Sequence, residues 1–138
     1  MRSEAYRKNF DFTIKLHELL AQDKGDSDEA DAIRDEMDRP WQDMSPDEKR
    51  IVNRLSGDLY TITDPDSPSM AAPPELAGRM AIACLLKDGD QILELLVKTP
   101  GFGSEVERAE LRGLAYTFLG EIQAASLFMA RAKELKGL

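Results

Sequence analysis

Two residues in this chain are suited to nucleophilic, redox or metal chemistry, Cys84 and His17, and each is the only one of its type. A thiolate nucleophile needs a base nearby, and His17 is far from Cys84 in sequence. Cys84 lies in the apolar run from Met80 to Leu86, which reads as burial of a small hydrophobe. His17 sits between Leu16 and Glu18 and is expected on a polar or boundary face of a helix. No HExxH or CxxC spacing is present, so no metal centre is expected. Asp23, Asp26, Asp28, Glu29 and Asp31 would attract calcium, but they lack the ordered acids, central glycine and terminal glutamate of a calcium loop. They read as a solvated helix start. Acid pairs such as Asp31 and Asp35 are frequent, and nothing sets one pair apart for general acid–base work. Gly101 and Gly103 flank Phe102, but two glycines with no preceding strand do not make a phosphate loop; Phe102 is expected to anchor a loop. No catalytic, metal or cofactor residue is therefore assigned. An enzyme on a helical scaffold, with a pocket of titratable groups, is the less favoured alternative.

The elements that would position these residues are helices. The first is predicted from about residue 3 to 22, with Phe12, Leu16, Leu19 and Leu20 as its apolar stripe and Gly25 as its stop. Phe10, Phe12, Ile14 and Leu16 also alternate as in a half-buried strand, but the stripe continues into Leu19 and Leu20, which favours helix. The second begins at Asp26 or Ser27, turns Ala30, Ile33 and Met37 inward, and is expected to stop at Pro40. Trp41 then plugs the junction to the third helix. That helix opens with Ser45, Pro46 and Glu48, an N-cap, a first-turn proline and a capping-box glutamate. Ile51, Val52, Leu55, Leu59 and Tyr60 are expected to face the core, and Gly57 to weaken the helix by about 1 kcal/mol.

Four prolines between Asp64 and Pro74 mark a linker. The expected organisation is an acidic three-helix region over 1–63, the proline-rich linker over 64–74, and a helical region over 75–138, which together could form one compact domain. In the last region helices are predicted over Glu75–Lys87 and Gln91–Lys98, joined by Asp88, Gly89 and Asp90. After the break from Thr99 to Gly103, Ser104 caps a helix running to about Leu119, with Glu107 as its capping-box partner. Gly120 turns the chain into a helix over Ile122–Lys136.

Gly113, Tyr116, Gly120, Ala125, Met129 and Ala132 form the most specific pattern in the chain. Small residues at these positions let two helices approach closely, an aromatic ring fills the space between them, and a glycine reverses the chain. The pattern resembles the tetratricopeptide repeat over about residues 106–138. Met129 stands where that family usually carries a large aromatic residue. Ala109 falls on its early tryptophan, Arg112 on a leucine, and Gly137 replaces its closing proline. The preceding hairpin is a degenerate version, its turn glycine Gly89 being 31 residues before Gly120 against a repeat of about 34. The fold expected is all-α: three N-terminal helices, the linker, then two antiparallel helical hairpins. The resemblance implies a groove for a peptide or helix, with Arg79, Arg108 and Arg112 as exposed candidates to line it. Such repeats need about three units to bury their faces. Two hairpins therefore call for cover from the N-terminal helices or from a second copy, as a homodimer.

Composition narrows the function classes. The net charge is −8, and the stretch from Glu18 to Glu48 holds 12 acids against 3 bases. Direct nucleic-acid binding is not expected, because phosphate recognition wants a basic face. No apolar run approaches a membrane span, the N-terminus lacks a signal core, and no disulfide framework exists, so a cytoplasmic location without membrane contact is expected. The reading is a non-enzymatic interaction or adaptor module with a protein or peptide partner. The first alternative is an acidic regulator that meets a basic, for instance nucleic-acid-binding, partner through residues 18–48, with Asp28, Asp31 and Asp35 as its contacts.

Overall fold

A computed structural model describes residues 2–63 and 73–137. These residues form seven helices and no strand: α1 (Glu4–Ala21), α2 (Asp28–Gln42), α3 (Pro46–Thr63), α4 (Pro74–Leu85), α5 (Gly89–Lys98), α6 (Glu105–Phe118) and α7 (Ile122–Lys136). The all-α class expected from the sequence holds. The chain divides into two compact units, Met1–Asp64 and Pro65–Leu138. Of the expected linker, residues 64–72 lie outside the described residues; Pro73 is the N-cap of α4 and Pro74 its first residue, where a missing N–H has no helical partner to lose. No helix among the described residues is long and apolar enough to cross a membrane.

In the first unit α1 packs on both α2 and α3, which explains the ambiguous alternation of Phe10, Phe12, Ile14 and Leu16. A helix with two partners carries apolar residues on two sides. One side joins Leu19 to Ala30 and Ile33, with Phe12, Leu16 and Met37 packed around them. Tyr6, Phe10 and Ile14 are buried on the other. Ser3 caps α1, accepting from the Tyr6 amide at 3.1 Å. The helix does not end at Gly25. It ends at Ala21 with Gln22 as C-cap, and Asp23 just beyond takes the left-handed conformation (φ 59°), while the Lys24 amide bonds Leu19 O at 2.8 Å and the Asp23 amide bonds Leu20 O at 3.1 Å. This is a Schellman stop in which aspartate fills the position usually given to glycine.

Ser27 caps α2 through the Ala30 amide at 3.2 Å. Pro40 does not stop this helix, which continues to Gln42 and closes with Asp43 N–H to Pro40 O at 3.1 Å. Pro40 stands in the last turn, so its ring deprives only the carbonyl of Glu36, an exposed residue, of a helical donor. Ser45 and Glu48 make the expected reciprocal capping box at the start of α3: the Glu48 amide donates to Ser45 Oγ and the Ser45 amide to Glu48 Oε1, both at 3.1 Å. Ile51, Val52, Leu55 and Leu59 are buried, but Tyr60, expected in the core, is 51% exposed.

In the second unit the strongest packing is between α6 and α7. Glu105 pairs with Arg131 at 3.2 Å, Glu110 with Lys136 at 3.1 Å, and Tyr116 stacks on Phe128 with centroids 5.5 Å apart. Between these helices Gly120 (φ 80°) makes the turn, with the Glu121 amide bonded to Tyr116 O at 2.9 Å. Near this same end of α6, α5 begins so close that a Cβ on Gly89 would strike the Ala115 carbonyl.

Candidate functional site

The six positions of the small-residue pattern have distinct places. Gly113, Tyr116, Ala125 and Ala132 are buried, and Gly120 is in the turn. Met129 is 37% exposed, yet its thioether lies over Gly113, where a Cβ would come within 2.7 Å of the terminal methyl. A flexible methionine thus covers the gap left by a residue with no side chain. Phe128, one residue earlier, is the ring that fills the space beneath Tyr116, and the spacing argument did not single it out. Its signal was available: Ala124, Ala125, Phe128 and Ala132 follow the i, i+4, i+8 rule for one face.

The three arginines expected to line a groove part company. Arg79 is exposed and paired with Glu75 at 2.8 Å. Arg108 and Arg112 are not exposed candidates: they are 2% and 5% accessible. Arg108 turns inward because its Nη1 donates to Gly103 O at 2.7 Å, fastening the loop before α6 to the helix. A guanidinium is kept inside by such carbonyl acceptors. Arg112 is likewise an interior group and unavailable to a ligand in a groove.

Apolar surface is exposed instead at the C-terminal end of α4 and its C-cap, Leu86. Ile82, Leu85 and Leu86 are 58%, 82% and 71% accessible, and their i, i+3, i+4 spacing puts them on one face. Cys84 beside them is half-buried. Burial raises its thiol pKa, which keeps it protonated and a poor nucleophile. A shallow groove of 380 Å³ on α6 and α7 is lined by Leu111, Leu114 and Met129, with Glu107 and Glu110 at its edge.

Of the acidic candidates, Asp28, Asp31 and Asp35 are all exposed along α2. Asp31 holds Arg34 at 3.1 Å, and Arg34 also donates to Gly25 O at 2.8 Å. The face they form leads to a cleft that sequence reasoning missed. It has a volume of 420 Å³ and is walled by residues of α1, α2 and α3, among them Asn9, His17, Asp38, Trp41 and Tyr60. His17, expected on a polar or boundary face, is half-buried, edge-on to Tyr60 with centroids 4.4 Å apart, its Nε2 3.5 Å from Ser56 Oγ. Burial lowers its pKa, favouring the neutral ring. Trp41 is half-buried inside α2 rather than in a turn, with the Lys49 ammonium 5.6 Å from its ring centroid. His17 and Tyr60 lie 43 positions apart in the sequence and meet only when α1 and α3 pack side by side, so no local spacing could have announced this pairing.

No group of three or more His, Cys, Asp or Glu side chains among the described residues is placed to hold a metal ion. Compared with protein-family profiles, characterised proteins and solved structures, the chain matches none.

Proposed function

We propose that the protein is a non-enzymatic protein–protein interaction module whose second unit consists of two antiparallel helical hairpins of tetratricopeptide type. The hairpin reading is supported by the reversed pairing of α6 with α7, Glu105 meeting Arg131 while Tyr116 meets Phe128, and by the close approach of α7 at Gly113. The observation that carries the functional reading is the face of Ile82, Leu85 and the C-cap Leu86 at the end of α4. Fully burying each such side chain contributes about 1.5–3 kcal/mol, and contiguous exposed apolar surface marks an interaction site. Two stacked hairpins leave an open end where a further helix would pack. The apolar face of a helix from a partner polypeptide fits it.

Leu85→Asp tests this. The wild-type protein, used as bait in a lysate of its native host, retains a partner at high salt, and the variant loses it with its own fold intact by circular dichroism. Identical captures by the two proteins would remove the reading. Sedimentation of both covers the homodimer: a wild-type dimer converted to a monomer by Leu85→Asp identifies the partner as a second copy.

A second reading is favoured by the exposure of Asp28, Asp31 and Asp35 along α2. This face would meet a basic partner, and the association would weaken steeply as the screening length falls below about 10 Å.

A further inference from the structure

The cleft in the first unit has chemistry that its packing role does not use. Asn9 is fully buried and lines it. Its Nδ2 donates to Met37 O at 3.0 Å, while its Oδ1 has no donor among the described residues. A buried amide oxygen without a partner costs about 1–3 kcal/mol; this one is closed off from solvent, so a ligand's N–H reaches it only when the Asn9 side chain turns toward the cleft. The walls are aromatic, with Trp41 half-buried and Tyr60 half-exposed. Trp41 already takes a cation on its ring, the Lys49 ammonium. Asp38, exposed on α2, supplies a carboxylate at the edge. The opposing charges are the Lys49 ammonium at the Trp41 ring and Arg34, whose Nη1 is engaged by Asp31 Oδ1 and Gly25 O. Beyond the edge, Asp31 and Asp35 extend the negative face. An amide acceptor, a carboxylate and two flat π-faces are together complementary to a group that is planar, cationic and made only of donors. A guanidinium has those properties; an ammonium has the charge without the plane.

We propose that this cleft is a receptor for the arginine side chain of a basic partner polypeptide, the guanidinium lying against Trp41 and Tyr60 and directing its N–H groups to Asp38 and the Asn9 amide oxygen. The proposal rests on the acidic-face reading and is independent of the α4 face. The partner is an arginine-bearing segment because the acidic residues of α2 continue away from the cleft, offering further contacts to the residues that flank the arginine.

Trp41 is the only tryptophan in the chain, so its indole N–H is a single resonance that reports on the cleft alone. The full chain is titrated with N-acetylarginine methylamide and with the citrulline analogue, which has the same shape without the charge. The arginine compound moves the Trp41 resonance, and the citrulline compound binds about tenfold more weakly. Tyr60→Ala and Asp38→Asn, both at exposed positions and therefore compatible with folding, each weaken the arginine compound about 2–5-fold. Equal action of the two compounds, no movement of Trp41 by either, or wild-type binding by both variants overturns the proposal. Two peptides of equal charge, one alternating glycine and arginine and the other glycine and lysine, separate it from the reading beneath it. If both bind alike and shift α2 amides without moving Trp41, the acidic face stands and the arginine receptor falls. If neither binds, both fall.

Discussion

Ser3 and Glu48 lie 45 residues apart and share one capping arrangement: the Ser3 amide donates to Glu48 Oε2 at 2.8 Å and the Ser3 hydroxyl to Oε1 at 2.9 Å. Ser3 at the same time caps α1 by accepting from the Tyr6 amide, and Glu48 closes the capping box of α3 with Ser45. One carboxylate therefore joins the N-termini of two helices. Glu48→Ala is expected to cost about 1–3 kcal/mol, because the Ser3 and Ser45 amides both lose their acceptor. Ser3→Ala should cost about 1 kcal/mol. In a double-mutant cycle followed by urea denaturation the two losses fall short of adding; strictly additive losses would mean that the bond contributes nothing.

The same junction confers a pH dependence with a definite sign. The Ser3 amide bonded to Glu48 holds its carboxyl below the ordinary value, and the Arg50 and Arg2 guanidiniums do the same for Asp47. A carboxyl with a depressed folded-state pKa stabilises the protein fully above its unfolded value, about 4, and loses that contribution as pH falls through the lowered one. Acid unfolding monitored by circular dichroism should therefore be less steep in Glu48→Gln below about pH 4. His17 adds a separate slope. Burial disfavours its charged form, so the unfolded chain takes up the proton first and stability declines as pH drops below about 6.5. His17→Gln should flatten the melting temperature between that pH and the lowered folded value; an unchanged slope would mean the ring is solvated.

Glycine replacements should split by site. Gly57 is exposed within α3 and a Cβ there meets nothing within 4 Å, so Gly57→Ala is expected to stabilise by about 0.5–1 kcal/mol. Gly89 faces the Ala115 carbonyl, backbone that cannot step aside as a side chain can. Gly89→Ala should destabilise and separate α5 from α6. Thermal melts of the two variants moving in the same direction would contradict this contact.

Ala125 and Ala132 are buried on α7. Leucine at either position overpacks the unit, at about 1–3 kcal/mol. Unchanged chemical denaturation in both variants would show that these alanines face space, and the hairpin resemblance would lose its basis.

What could be read in the sequence alone is governed by bonds that span three or four residues. Ser3, Ser27, Ser45, Asp88 and Ser104 each accept an amide from within the first turn of their own helix. Most helix starts were therefore legible, and α7 runs from Ile122 to Lys136 as its pattern implies, but the turn expected over Asp88, Gly89 and Asp90 is instead the N-cap and first turn of α5, because the Asp88 carboxylate accepts the Gln91 amide. Helix ends were less so, since the left-handed residue that stops α1 is Asp23 and Pro40 is absorbed into the last turn of α2. Burial and pairing across elements were decided only by tertiary structure. Arg108 is interior because a carbonyl of the preceding loop receives it. His17 lines a cleft because α3 brings Ser56 and Tyr60 against it. Helical periodicity ranks the faces of a helix by polarity, but the side chain that occupies a face is stabilised by partners far along the chain, and those are set when the helices pack.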